Sequence, residues 1–270
     1  MRWNRALAIA TKDLRDTFST SQLALPLVVV PLVVVVGYPM IYLVALRYTP
    51  GAANGLQGFL TSFPDSAVPV FQGMTSAGRA AYIGIVYLFA GFFLLVPVMV
   101  STIIAANSFA GEKERRTLEG LLYTPVTDAE LVLGKVAASF VPAVAFTWFC
   151  FAIYTVIANV MGTPIIGQPY FPTPNWWALM LALVPAVALF VIGIVVLVSA
   201  KARGFQEANA IGGSISLPLI GIVAAQASGI MVLSSGLILA TAGVFAALDA
   251  ILIWVIVKSF RRSRIVSYLP

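Results

Sequence analysis

The stretch FAGEKERRTLEGLLYTPVTDAELVLGK, Phe109 to Lys135, lies between two long apolar runs in a chain of 270 residues that is 60% hydrophobic and 10% charged. It holds Glu112, Glu114, Glu119, Asp128 and Glu130, half of the 10 acidic residues in the sequence. A soluble domain is roughly a quarter charged. A mean hydropathy of +0.99 leaves too few polar residues to build a shell against water. The alternative solvent is lipid, where a helix needs about 20 predominantly apolar residues to cross the hydrocarbon. On that reading the flanking runs are spans and the charged stretch is the loop between them.

Working outward, six runs qualify as spans, at about 23–46, 81–106, 136–160, 176–199, 208–226 and 236–257. Five of them contain proline: Pro26, Pro31 and Pro39 in the first, then Pro97, Pro142, Pro185 and Pro218. Helices in lipid accept proline because neighbouring groups satisfy the freed carbonyls, so kinks are expected rather than breaks. The first run is longer than the apolar core of a cleaved signal peptide and reads as a retained span.

The basic residues are lopsided. Arg2, Arg5, Lys12 and Arg15 precede the first span, and Lys113, Arg115, Arg116 and Lys135 lie between the second and third. Lys201 and Arg203 lie between the fourth and fifth, and Lys258, Arg261, Arg262 and Arg264 follow the sixth. Only Arg47 and Arg79 fall in the opposite loops. By the positive-inside rule both termini are cytoplasmic, and the number of spans is even. The net charge of +6 is then a topology signal, and no nucleic-acid partner is expected. The loops on the other face are nearly free of charge, and no soluble domain is expected on either side. Trp176 and Trp177 stand where an interfacial aromatic belt would be.

Other chemistry is thinly represented. The chain has no histidine, the commonest general base and metal ligand. Its one cysteine, Cys150, sits in an apolar run, which leaves no intrachain disulfide and little basis for a metal cluster. The only Gly-Lys pair, Gly134-Lys135, lacks the upstream glycine of a phosphate-cradling loop, so ATP hydrolysis by this chain is not expected.

In residues 1–20, Trp3, Leu7, Ala10, Leu14 and Phe18 recur at spacings of three and four and line one helix face. The leader is either a helix lying in the cytoplasmic interface or a solvated one. Within the opening stretch, residues 111–123 read as a short helix with Leu118, Leu121 and Leu122 on one side. Glu112 with Arg116 and Arg115 with Glu119 are pairs four apart. Thr124-Pro125 stops this helix, and Thr127 with Glu130 matches a capping box opening the third span. Such a loop could be a solvated turn. A leucine edge with dense charges of both signs suits docking into a groove on another protein.

These residues resemble a family. The Gly-Glu-basic-Glu start, Thr-Leu-Glu, the Leu-Leu pair, Thr-Pro and the closing Leu-Gly-Lys look like the signature of type-2 ATP-binding-cassette exporter permeases of the type V-like kind. FQEANAIGGSISLPLI, residues 205–220, is a weaker match to the family's fifth span. The resemblance implies an all-α polytopic membrane protein of the prokaryotic cell membrane. It would have six transmembrane helices in residues 21–270, an N-terminal amphipathic connector helix over 1–20, and a short cytoplasmic coupling helix near 111–123. It also implies two ATPase subunits, which carry the ATP and Mg, and a second copy or a paralogous permease. The docking residues carried over are Glu112, Glu114, Arg115, Arg116, Glu119, Leu121 and Leu122.

Asp249 is the only ionisable residue placed well inside a span. It lies nine residues before Lys258, or ~13 Å at the helical rise. An acid at that depth is a functional candidate by default, and a structural acid facing other helices is the alternative. Gly236, Ala240, Gly243 and Ala247 on the same span permit close helix approach. The leading expectation is an ATP-driven exporter moving an apolar or amphipathic substrate by alternating access. A secondary transporter or channel using Asp249, or a non-transport membrane scaffold, are the alternatives.

Overall fold

A backbone amide in hydrocarbon has no water to bond, so each long apolar run must close its hydrogen bonds within a helix. The computed structural model describes residues 11, 21–49, 51–53, 71, 73–115, 128–227 and 234–259. Those residues form helices and turns, with no strand among them. Five helices are long and apolar enough to cross a membrane: α1 (Leu25–Tyr48), α2 (Ser76–Glu114), α3 (Asp128–Ile166), α4 (Pro174–Ser199) and α7 (Ser235–Ser259). The remaining run is divided into α5 (Phe205–Ser214) and α6 (Ser216–Ala227). The leader lies outside the described residues, apart from Thr11.

Helices α2 and α3 are each 39 residues long, or ~58 Å at 1.5 Å per residue. The hydrocarbon is only about 30 Å thick, so both continue well past its edge. Gly111 therefore does not open a separate short helix, as the sequence suggested. It closes a π-helical turn, Asn107–Gly111, from which the helix runs on to Glu114. Hydropathy falls off where the solvent changes, whereas helical hydrogen bonding does not.

The span prolines differ in effect: Pro26, Pro31 and Pro142 lie inside α-helix, and the other four follow a widened or interrupted turn. A π-helical turn at Val33–Gly37 comes just before Pro39, and another at Leu179–Leu183 comes just before Pro185. The helix is interrupted at Leu94 ahead of Pro97 and at Ile215 ahead of Pro218. A proline ring clashes with the carbonyl four residues back and offers no N–H, which a widened or broken preceding turn relieves. Each of the two breaks separates two α-helical segments, and the one before Pro218 leaves the short helices α5 and α6. There Ser214 Oγ donates to Ile211 O and Ser216 Oγ to Gly213 O, both at 2.6 Å, satisfying backbone acceptors at the break.

Helix α2 is the centre of the bundle: 78% of its most apolar stretch is buried, against 17% for α7. It packs against α1, α3, α4, α5 and α6. Lipid tails are as apolar as leucine, so close packing and interhelical hydrogen bonds must hold such a bundle together. At one end an aromatic cluster supplies both. Trp176 lies among Phe93, Phe151, Tyr154 and Phe171 with ring centroids 4.8–5.8 Å away. The π-helical turn Gly84–Leu88 of α2 faces this cluster. Tyr154 Oη donates to Ile85 O at 2.7 Å and Trp176 Nε1 to Val86 O at 3.0 Å, so two side chains serve carbonyls of the widened turn. Ser235 Oγ donates to Asn175 Oδ1 at 2.7 Å, tying the start of α7 to the start of α4.

Candidate functional site

At the opposite end from the aromatic cluster, the last turns of α2 carry Asn107, Glu112, Lys113, Glu114 and Arg115. Their positions follow from helical periodicity. The π-helical turn Asn107–Gly111 adds a residue to the helix and shifts the face that the following charges present. Each of the four charged side chains finds a different partner.

Glu112 faces inward. Only 7% of it is exposed, and Lys135 of α3, 1% exposed, lies against it with Nζ 2.6 Å from Glu112 Oε2. The ammonium also donates to Ser108 O at 2.5 Å and to Ser108 Oγ at 3.4 Å, and it sits 5.3 Å from the centroid of the Phe109 ring. A buried ion pair is tolerated when further hydrogen bonds satisfy both members, and Lys135 has them. The sequence suggested an Arg116 partner for Glu112. Arg116 lies outside the described residues; among these the carboxylate pairs with the lysine 23 residues on, because the start of α3 is packed beside the end of α2.

Lys113 reaches across to the end of α4. Its Nζ donates to Ala200 O and Ala202 O, both at 3.1 Å. The last carbonyls of a helix lack intrahelical partners and carry the negative end of its dipole, so a lysine there is favourably placed. Glu114 makes the complementary contact. Its Oε2 accepts from the backbone N–H of Phe205 at 2.9 Å, and Phe205 is the first residue of α5. That N–H is one of the orphan donors of a helix N-terminus, where a carboxylate is favoured. Glu207 helps from within, accepting from Arg203 N at 2.8 Å. Arg115 folds back, its guanidinium donating to Asn107 Oδ1.

The cluster thus joins the end of α2 to the starts of α3 and α5 and to the end of α4. Of the residues proposed from the sequence, Glu112, Glu114 and Arg115 come together here. Arg116, Glu119, Leu121 and Leu122 lie outside the described residues, as does Thr127 of the expected capping box. The Glu112 carboxylate is buried against Lys135 of this chain. Lys113, Lys135, Gly204 and Phe205 were not proposed as site residues. The available signal was the apolar sequence on both sides of Lys135, Leu131 to Leu133 before it and Val136 to Ala138 after it.

Asp249 stands elsewhere. It is on α7, 4% exposed, and its Oδ1 has no hydrogen-bond partner among the described residues. Its face is turned to α4, since Phe245 packs on Phe190 with centroids 5.0 Å apart and Leu252 lies against Gly193. Residues 174–199 of α4 contain no charged side chain. Among the described residues no group of three His, Cys, Asp or Glu could hold a metal ion.

The arrangement offers no acid, base or nucleophile aimed into a cavity. It can pass a displacement from the loop after α2 to three other helices. Neither a curated protein nor a solved structure matches the chain. A family model does: that of the ABC-2 family transporter proteins, over residues 7–241.

Proposed function

This chain belongs to the ABC-2 family of transporter proteins, and we propose that it acts as an exporter permease worked through the charged loop after α2. It is the membrane subunit of an ABC transport system, and its ATPase partners are separate subunits. The finer reading concerns where and how they act.

The observation that carries it is the junction just described. A partner pressing on residues 111–123 acts on α2 directly, and through Glu112, Lys113 and Glu114 on α3, α4 and α5. Docking falls to Arg115, Arg116, Glu119, Leu121 and Leu122, while the carboxylates of Glu112 and Glu114 hold the loop to its own chain. Two ATPase subunits, carrying ATP and Mg, engage two permeases, the second being another copy or a paralogue. Residues 1–20 form the connector helix beside the loop, residues 21–270 the transmembrane domain, and both termini are cytoplasmic. The substrate is apolar or amphipathic, because the spans offer almost no charge to a strongly ionic one.

Affinity purification of the tagged chain from membranes tests this. The wild type is expected to bring down a protein with a nucleotide-binding loop and ATPase activity. Leu121→Asp and Arg116→Glu are expected to lose that partner while remaining monodisperse in detergent. Retention of the partner by both variants, or no such partner for the wild type, would overturn the reading.

A further inference from the structure

We propose that Lys113 and Glu114 are positioning residues for transport, gripping the backbone of residues 200–205 so that α5 moves as a lever about the break at Ile215. The proposal rests on the reading that an ATPase docks on the loop after α2, and adds which helix that loop drives.

The grip is made wholly to backbone. Lys113 holds two carbonyls beyond the end of α4, and Glu114 holds the first N–H of α5. Gly204 lies between these contacts. Its φ of −172° is open to any residue, so conformation does not require glycine there. The Glu114 contact does: a Cβ would lie 2.5 Å from Glu114 Oε2 and 2.8 Å from the carboxylate carbon, so a larger residue displaces the carboxylate. The carboxylate rests directly on the peptide chain, so a single side chain joins the backbone of α2 to that of α5 at this contact.

The driven element has the form of a lever. Helix α5 is 10 residues long, or ~15 Å, and ends where Ile215 N bonds Gly212 O in a tightened turn. Pro218 follows, and the chain resumes as α6. A helix interrupted by a turn and a proline is where a bundle can bend without breaking a continuous ladder. A comparable break lies at Leu94 within α2, ahead of Pro97.

The seat of α5 also suggests a second position. At Gly212 the helix lies so close to α2 and α4 that a Cβ would meet Val195 Cγ2 at 2.6 Å and Thr102 Cγ2 at 2.7 Å. Thr102 is 2% exposed, yet its Oγ1 has no hydrogen-bond partner. An unsatisfied buried hydroxyl is unfavourable. A shift of α5 over this contact would bring its backbone carbonyls past that hydroxyl.

The test uses the complex of this chain with its ATPase, in lipid nanodiscs, with Cys150→Ala removing the native thiol. Spin labels at Ile211 on α5 and Leu181 on α4, both exposed positions, report the distance between the helices. Addition of ATP with vanadate is expected to shift that distance in the wild type. Lys113→Met, Glu114→Leu and Gly204→Val are expected to co-purify the ATPase and hydrolyse ATP as the wild type does, but to lose the shift. Lys113→Arg, which still offers donors to both carbonyls, is expected to restore it. A full shift in Lys113→Met and Glu114→Leu, or no shift in a wild-type complex that hydrolyses ATP, would overturn the lever. Loss of the bound ATPase in these variants would assign the residues to docking instead and would also overturn it. Failure of the wild type to bind any ATPase would fall on the docking reading.

Discussion

Among the acidic and basic residues of the described spans Lys135 and Asp249 are buried deepest, and they are in opposite situations. Lys135 has Glu112, the Ser108 carbonyl and an aromatic face around it. Removing one member of a buried pair leaves the other uncompensated, which costs roughly 3–5 kcal/mol. Lys135→Met is therefore expected to lower thermal stability sharply in detergent, and adding Glu112→Leu is expected to recover most of the loss. If the single substitution melts like the wild type, the pair is not buried as described. Asp249 has no partner for Oδ1 and faces a helix without charge. Replacing an unsatisfied polar group by an apolar one of similar size is neutral or stabilising. Asp249→Leu is expected to match or exceed the wild-type melting temperature while keeping the bound ATPase. A large fall in stability would show that Asp249 has a partner the isolated chain lacks. The presence of both residues could be read from the sequence, but their surroundings could not, because the partners of Lys135 are 23 and 27 residues away along the chain.

Prolines and π-helical turns set the shapes of the helices. Where a widened turn places carbonyls inside the bundle, neighbouring helices supply donors, as Tyr154 and Trp176 do for the Gly84–Leu88 turn. An interhelical hydrogen bond in a membrane protein contributes about 0.6 kcal/mol on average. Tyr154→Phe is expected to cost that order of stability, and Tyr154→Phe with Trp176→Phe about twice it, read from unfolding in mixed micelles. No loss in the double variant would mean that those carbonyls are served otherwise. The apolar runs and their prolines announced these helices well. Their ends were misjudged because hydropathy marks the edge of the lipid, while α2 and α3 run past it. The division of the fifth run escaped notice because Pro218 resembles the other span prolines. Ile215, where the helix stops, carries no signal of its own.

For the whole molecule, the distribution of charge predicts an orientation. Lys113, Lys135, Lys201 and Arg203 gather at one end of the bundle, while Arg47 and Arg79 belong to the other. Cysteine at position 201 is expected to resist a membrane-impermeant thiol reagent in intact cells and to react once the membrane is opened. Cysteine at Tyr48 is expected to react in both. The reverse pattern would place the charged loop outside the cell and end the docking proposal.

The sequence alone determined that this protein is helical and lies in lipid, where its spans fall, and which loop carries the charges. Each of these depends on local composition, which sets how a segment partitions between water and hydrocarbon. The tertiary structure decided what those charges do. Glu112, Lys113 and Glu114 are three consecutive residues pointing to three different helices, and only the packing of α3, α4 and α5 around the end of α2 assigns a partner to each. Partition energy acts on a segment by itself, whereas an ion pair or a helix cap exists only once two distant segments have met.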